Sequence, residues 1–209
     1  MSAFRDLPEG QANTSGHARS YRRLTVASIT SSILLLICAG FCLLTTKLYG
    51  PKTDLSEAGA TNVAARITEF QLPDGFKGKM GMVFEFPLLK LDIAKFVHDN
   101  GRGTLIMAQM SSPTFPMSST PNPIKQTIDN MSPELKTLKV DQRRRKSMTI
   151  RNLPAEFQIQ TGEDVASTTR MLEVTGTFRG KVDDAFLVLQ CEEGILSDQD
   201  IDQFLNSIK

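Results

Sequence analysis

The sequence has few of the residues that form disulfides, metal sites and nucleic-acid surfaces. It contains no tryptophan, two histidines and three cysteines, too few cysteines for the disulfide framework of a small secreted domain. An excess of positive charge is also missing, since 24 Lys and Arg residues stand against 23 Asp and Glu residues. A net charge of +1 provides no basic field, so we predict no nucleic-acid partner.

Sequence motifs of common active sites are missing as well. There is no glycine-rich phosphate loop, no Gly-x-Ser-x-Gly turn and no Cys-x-x-Cys pair. Asp198, Asp200 and Asp202 alternate as calcium ligands do. A calcium loop, however, needs glycine where Gln203 stands and glutamate where Lys209 stands. We therefore predict no metal ion and no cofactor, and we assign no catalytic residue.

One long run without charged residues is present, at residues 24–46. As a helix it would be roughly 35 Å long, whereas the hydrocarbon core of a bilayer is about 30 Å thick. It is also longer than the apolar region of a usual signal peptide, which is the alternative interpretation. We therefore predict an uncleaved transmembrane helix at these residues, with the lipid bilayer as its partner.

The charges beside this run predict its orientation. Several arginines precede it, the last being Arg22 and Arg23, and fewer basic residues follow it closely. Because Lys and Arg resist translocation, the N-terminus is expected in the cytoplasm. The prediction is a single-pass inner (plasma) membrane protein with a cytoplasmic tail at 1–23. A linker at 47–65 and an exported domain at 66–209 follow the helix.

Turn residues and apolar spacing predict the elements of the exported domain. Asn100 and Gly101 predict a type I′ hairpin turn between strands at 91–98 and 104–110. Further strands are predicted at 139–151, 156–161, 171–179 and 185–192.

Two helices are predicted from apolar residues spaced three and four apart. The last is expected to begin at Ser197, with Asp200 as the partner in a capping box. The other has a stripe made of Ile124, Ile128, Met131, Leu135 and Leu138. Ser132 and Pro133 interrupt this stripe, so a kinked helix or two short helices are expected there.

The fold class follows from two strands that are apolar at every position, at 105–108 and 185–189. Such strands are covered on both faces. We therefore predict the α+β class, with an antiparallel β-sheet that has helices on both faces and is preceded by one transmembrane helix.

The order of these elements resembles the PsbP/Mog1-like fold. The stretches that carry the resemblance are residues 72–76 (Leu-Pro-Asp-Gly-Phe), 176–189 and 201–209. The predicted domain also looks like bacterial envelope proteins held by a single anchor. The resemblance implies a non-catalytic module that binds or helps to assemble other proteins, and it assigns no functional residue.

The most concentrated group of charges is Arg143, Arg144, Arg145 and Lys146, with Arg151 close by. On a strand, Arg143, Arg145 and Arg151 would share one face, and the other two residues would lie on the opposite face. One interpretation is a binding site for anionic lipid headgroups, acidic glycans or an acidic protein. The other is an edge strand whose charges prevent aggregation, and the general need to protect sheet edges favours it.

These patterns lead to one hypothesis and two alternatives. We expect a membrane-anchored, non-catalytic binding or scaffolding module of the cell envelope, with an envelope protein as its partner. One alternative is an envelope hydrolase whose catalytic residues come together only in the fold. The other is a binder of anionic lipid or glycan that uses residues 143–146.

Overall fold

A computed structural model describes residues 50–86, 88–112, 128 and 132–209 of the chain. All described residues belong to one compact unit, Tyr49–Lys209.

The described residues form one eight-stranded sheet and two helices. The neighbouring strands are all antiparallel, in the order β1-β2-β3-β4-β8-β7-β6-β5. The elements along the chain are β1 (Lys52–Asp54), α1 (Glu57–Ile67), β2 (Phe76–Phe86), β3 (Leu89–His98), β4 (Gly103–Ser111), β5 (Leu138–Ile150), β6 (Leu153–Asp164), β7 (Arg170–Arg179), β8 (Asp184–Glu192) and α2 (Asp198–Ser207).

The hairpin predicted at Asn100 and Gly101 is confirmed, but its turn is of another type. Strands β3 and β4 pair with Val97 opposite Thr104. A type I′ turn needs positive φ at both central residues. Gly101 has a φ of 73°, and Asn100 is not among the residues with positive φ. The Asn100 side chain instead accepts a hydrogen bond from the Arg102 N–H at 2.8 Å.

A two-residue turn with positive φ at both positions joins β5 to β6. Arg151 and Asn152 have φ values of 52° and 62°. Ile150 and Leu153 are paired on either side of them. This turn makes β5 and β6 a long hairpin, whose register is regular from the turn back to Gln142 and shifts between Val140 and Gln142.

Helix α1 lies in the stretch that was predicted to be a linker, residues 47–65. The Ser56 side chain caps the helix by accepting a hydrogen bond from the Gly59 N–H. Its buried face is made of Gly59, Ala60, Val63, Ala64 and Ile67. The linker prediction is corrected accordingly: the folded unit includes Lys52–Asp54 and all of α1. Small residues such as Gly59 and Ala60 on this face are only weakly hydrophobic, so the helical spacing of apolar residues is hard to recognise in the sequence. The same small residues let the helix approach the sheet closely.

Helix α2 has the predicted capping box. The Ser197 hydroxyl accepts a hydrogen bond from the Asp200 N–H, and the Asp200 carboxylate accepts one from the Ser197 N–H. Ile201, Phe204 and Leu205 are buried. The sequence prediction of this helix is confirmed.

Both helices lie on the same face of the sheet. Their buried residues, such as Ala64 and Phe204, share one apolar cluster with Leu105, Val174 and Leu187 of the strands. Alternate residues of the central strands point to the other face and form a second cluster. This second cluster contains Met82, Leu91, Ile93, Ile106, Ala108, Met110, Ile128, Phe186 and Val188.

The predicted α+β class with helices on both faces is therefore wrong. The described part is dominated by an antiparallel sheet, and the two helices described along their length lie on one face. Burial of both faces at 105–108 and 185–189 is confirmed. On the second face, however, the described apolar residues outside the sheet are Ile128 and Leu135. An apolar strand requires a cover, but its sequence does not specify that the cover is a helix.

The stripe predicted as a helix around residues 124–138 is only partly described. Ile128 is helical and buried, whereas Leu138 begins strand β5. Ile124 and Met131 lie outside the described residues.

Within the residues that the structure describes, no transmembrane helix precedes the sheet. No helix in the described part of the chain is long and apolar enough to cross a membrane. The helix predicted at 24–46 and the cytoplasmic tail predicted at 1–23 lie outside that part. The location of the domain outside the cytoplasm stays a prediction.

Gly81 marks a close approach of α1 to the sheet. A Cβ atom there would overlap the backbone carbonyl of Gly59, which is not a flexible side-chain end. We expect Gly81→Ala to lower the free energy of unfolding by about 1–3 kcal/mol. Urea denaturation of the purified chain measures this. Lys79→Ala, at an exposed position of the same strand, should change the value by less than about 0.5 kcal/mol. Equal losses in the two variants would contradict the close packing.

Candidate functional site

Strand β5 is the end strand of the sheet in the described part of the chain. It has 13 residues and pairs with β6 along one side. The basic run lies in the middle of this strand, where most residues are exposed. A charged edge strand is what the edge-protection interpretation requires.

Two members of the basic run face helix α2. Arg144 pairs with Asp198, and Lys146 Nζ lies 2.7 Å from Asp202 Oδ1. The hydrogen bond from Lys146 holds the pKa of the Asp202 carboxyl below its usual value. Both cations therefore donate hydrogen bonds to carboxylates on α2, and 46% and 78% of the Arg144 and Asp198 side chains are exposed.

Arg143 and Arg145 lie on the opposite face of the sheet. Arg145 Nη1 is 3.3 Å from Glu156 Oε1, and 71% and 58% of the two side chains are exposed. Exposed ion pairs of this kind contribute little to stability. Arg143 is exposed and makes no ion pair with any described residue.

Arg151 lies in the turn after β5, apart from this pair. Its charge makes a minor contribution to the lowered pKa of Glu69, for which the hydrogen bond from Lys181 is the main cause. The five residues predicted as a site therefore do not form one patch. Two are bound to α2, one is in a turn, and Arg143 and Arg145 remain together on an exposed face.

A row of amide side chains on the same face was not found by sequence analysis. Gln158 Nε2 donates to Gln160 Oε1 at 2.8 Å, and Gln160 Nε2 donates to Glu173 Oε1 at 2.6 Å. Gln190 Nε2 donates to Glu173 Oε2 at 2.9 Å. The row thereby crosses β6, β7 and β8. The sequence signal was the alternation of glutamine with apolar residues in β6.

A groove of about 430 Å³ adjoins this row. Glu173, Thr175 and Val188 line it from the strands, and residues between 132 and 138 line it from the segment before β5. The Gln190 amide holds that segment, because it donates to the Lys136 carbonyl and accepts from the Lys136 N–H. Hydrogen bonds to this one amide therefore fix part of the groove wall.

A buried carboxyl lies on the helix-covered face, at Asp92 of β3. It is 3% exposed, with Arg66 Nη2 at 3.6 Å from Oδ1 and Lys90 Nζ at 4.0 Å from Oδ2. Burial raises the pKa of Asp92, and the charges of Arg66 and Lys90 oppose that effect, whereas nearby Glu85 adds to it.

Asp92 and Gln109 are paired across β3 and β4, and each has a buried oxygen without a hydrogen-bond donor. These oxygens are Asp92 Oδ1 and Gln109 Oε1. The Gln109 amide nitrogen already donates to the Asp183 carbonyl at 2.6 Å, which fixes the orientation of the amide.

Cys191 and His98, two reactive side chains among the described residues, have surroundings that do not activate them as a catalytic pair. Burial raises the pKa of the Cys191 thiol to about 12, so it is neutral at physiological pH and a poor nucleophile. His98 Nδ1 lies 2.8 Å from Asn100 Oδ1, and its ring packs edge-on against Phe76. No group of three His, Cys, Asp or Glu side chains in the described part is placed to hold a metal ion. The expectation of no metal and no cofactor stays a prediction.

No protein-family model matches the chain, and no curated protein matches it. The chain is similar to the crystal structure of LpqN, which is involved in cell envelope biogenesis of Mycobacterium tuberculosis. The identity is 10%, the match covers 76% of this chain and 79% of that chain, and the TM-score is 0.25. A likeness this low carries no argument about fold or function, and the PsbP/Mog1-like resemblance stays a prediction.

Asp92 gives the stability of the fold a pH dependence of defined sign. Its pKa is raised by folding, so its contribution to stability is complete below the unfolded pKa of about 3.9. That contribution is lost as the pH rises through the pKa of Asp92 in the folded chain. Between the unfolded and the folded pKa, the free energy of unfolding falls by about 1.4 kcal/mol for each pH unit. We expect Asp92→Asn to remove this loss. Urea denaturation of parent chain and variant across the range from acid to neutral pH measures it.

Asp200→Asn is the matched control for this experiment. The Ser197 hydroxyl lowers the pKa of Asp200, so the contribution of Asp200 is present above its unfolded pKa and is lost as the pH falls. The stability difference between parent and variant should therefore change with pH in opposite directions for the two substitutions. A change in the same direction for both would show that burial does not control Asp92.

Proposed function

We propose that the chain is a non-catalytic binding module that holds an acidic segment of another protein against β5. The observation that carries this proposal is the pair Arg143 and Arg145, exposed on the face opposite the helices. One has no ion-pair partner among the described residues, and the other has only an exposed one. Residues two apart on a strand are about 6.5 Å apart, a spacing that alternate carboxylates of an extended peptide also have.

The type of residue supports an acidic partner. Arginine presents a planar fork of N–H donors that binds a carboxylate through two parallel hydrogen bonds. Arg145 is held only by Glu156, in a pair whose two side chains are mostly exposed, so exchange for another carboxylate costs little. Both arginines are therefore available to a partner without rearrangement of the fold.

The distribution of charge favours a protein partner over an anionic membrane or glycan. Two of the four residues at 143–146, Arg144 and Lys146, already donate hydrogen bonds to Asp198 and Asp202. The run thus has less uncompensated charge than its sequence indicates, and binding to a charged surface depends on such charge. Two arginines at a defined spacing suit local recognition of a peptide instead.

The hydrolase alternative gains no support from the described residues, because Cys191 is buried with a raised pKa and His98 bonds to Asn100. The predicted envelope location is not needed for the proposal, which concerns the sheet alone.

Replacing Arg143 and Arg145 by glutamine should weaken the binding of an acidic peptide. The probe is a labelled synthetic peptide, Thr-Val-Thr-Thr-Glu-Val-Glu, titrated with the purified full chain. Loss of two exposed ion pairs should raise Kd roughly threefold to tenfold. Added salt should weaken binding to the parent chain in the same direction.

The control removes the same charge from the opposite end of the sheet, by Lys52→Gln and Lys79→Gln in β1 and β2. It should leave Kd unchanged. Equal loss in both double variants, or failure of the parent chain to bind the peptide, would contradict the proposal. Binding to vesicles that contain phosphatidylglycerol but not to the peptide would favour the lipid alternative instead.

A further inference from the structure

One side of the β5 backbone is not covered by any described strand. The inference drawn from this edge rests on the proposed function and specifies how the acidic segment would bind. The turn at Arg151 and Asn152 makes Ile150 and Leu153 the closing pair of the β5–β6 hairpin. The closing pair of a two-residue hairpin exchanges hydrogen bonds. Every second residue back from Ile150 therefore turns its N–H and C=O toward β6, and the register is regular back to Gln142.

The residues between these turn their N–H and C=O away from β6, and we call them the outward residues. They are Arg143, Arg145, Ser147 and Thr149, and all four are exposed. Pro154 supports the assignment, because it pairs with Thr149 and has no N–H. Proline at that position costs the hairpin no hydrogen bond only if Thr149 faces outward.

The outward backbone groups and the available guanidinium groups thus belong to the same residues. An added antiparallel strand would form hydrogen-bonded pairs with Arg143 and Arg145, with Cα atoms about 5.5 Å apart. The side chains of its two paired residues would stand beside the arginines, on the face opposite the helices. Acidic side chains at those two alternate positions complement the arginines.

The residues between them on the added strand meet a different environment. They would stand beside Arg144 and Lys146, whose charges Asp198 and Asp202 already compensate. An acidic side chain there gains less, because Arg144 and Lys146 already donate hydrogen bonds to their carboxylates, whereas Arg145 makes only an exposed ion pair with Glu156. The edge therefore favours acidic residues at every second position over acidic residues in succession.

A second copy of this chain does not fit the same edge. Antiparallel pairing of two β5 strands would place one basic run directly opposite the other, and like charges opposite each other destabilise a sheet. The basic run thereby protects the edge from identical copies. It offers no such obstacle to an acidic strand.

We infer that β5 takes up an extended acidic segment of a partner protein as an additional antiparallel strand. The segment makes main-chain hydrogen bonds to the outward residues and places alternate acidic side chains beside Arg143 and Arg145. Main-chain bonding of this kind is known as β-strand addition.

Methylation of peptide nitrogens tests the main-chain hydrogen bonds. In the inferred pairing, the N–H groups of both glutamates of Thr-Val-Thr-Thr-Glu-Val-Glu point toward β5. Those of the threonine and valine directly before them point away. Methylating both glutamate nitrogens should raise Kd for the full chain at least about tenfold, since two hydrogen bonds are lost. Methylating the two preceding nitrogens is the matched control and should change Kd less than about twofold.

Ser147→Pro tests the same hydrogen bonds from the protein side. It removes one outward N–H and leaves the hydrogen bonds to β6 intact. Kd should rise about fivefold while the circular dichroism spectrum is unchanged. Should this variant unfold, the methylated peptides decide the question with the parent chain alone.

A peptide of the same composition with adjacent glutamates, Thr-Val-Thr-Thr-Val-Glu-Glu, tests the alternate spacing. It should bind roughly twofold to fivefold more weakly, because only one glutamate at a time can stand beside Arg143 or Arg145. Equal binding of the two peptides would contradict the inferred pattern.

The outcomes separate this inference from the proposed function. If both methylation patterns have the same effect while the substitution of Arg143 and Arg145 still weakens binding, strand addition is overturned and the acidic binding site stands. If neither peptide binds, both are overturned. Dimerisation of the parent chain that Ser147→Pro abolishes would show that the edge accepts a second copy instead.

Discussion

The pairing of β4 with β8 is the contact on which the rest of the sheet depends. It brings residues far apart in sequence, such as Leu105 and Leu189, together at the centre of the sheet. Both strands are buried along almost their whole length on both faces, so a large share of the hydrophobic stabilisation is concentrated there. Because β8 occupies this position, β7, β6 and β5 follow in turn toward the edge. The position of β5 at the exposed edge is thus a consequence of a pairing made three strands away.

The two faces of the sheet reach their stability in different ways. The helix-covered face is an apolar cluster, and close contact with the Gly59 carbonyl requires a residue without a Cβ at Gly81. The other face changes from apolar to polar between β8 and β6. There Gln160, Glu173 and Gln190 satisfy one another, which matters because a buried polar group without a partner costs about 1–3 kcal/mol. The hydrogen bonds among these side chains therefore allow polar residues to stand on this face of β6, β7 and β8 without leaving unsatisfied groups.

Local signals predicted local structure well. The hairpin at Gly101 and the capping box at Ser197 each depend on a few adjacent residues, and both are confirmed. The order of the strands, the position of α1 and the cover of the second face depend on contacts between distant residues, and sequence patterns did not reveal them. The basic run was likewise visible in the sequence. Its division into compensated and available charges was not, because it depends on where α2 places Asp198 and Asp202.

The energetics of an exposed edge explain why arginine spacing matters more than arginine number. A single exposed ion pair contributes roughly 1 kcal/mol or less, so charge alone gives an edge little affinity. Main-chain hydrogen bonds are available to any extended segment and give little discrimination by themselves. A shift of one residue in register, however, moves every side chain of an added strand to the other face. There the acidic groups would meet Arg144 and Lys146, which are already paired. In the inferred complex, the charges at the β5 edge therefore select the register of the added strand, and main-chain hydrogen bonds provide most of its binding energy.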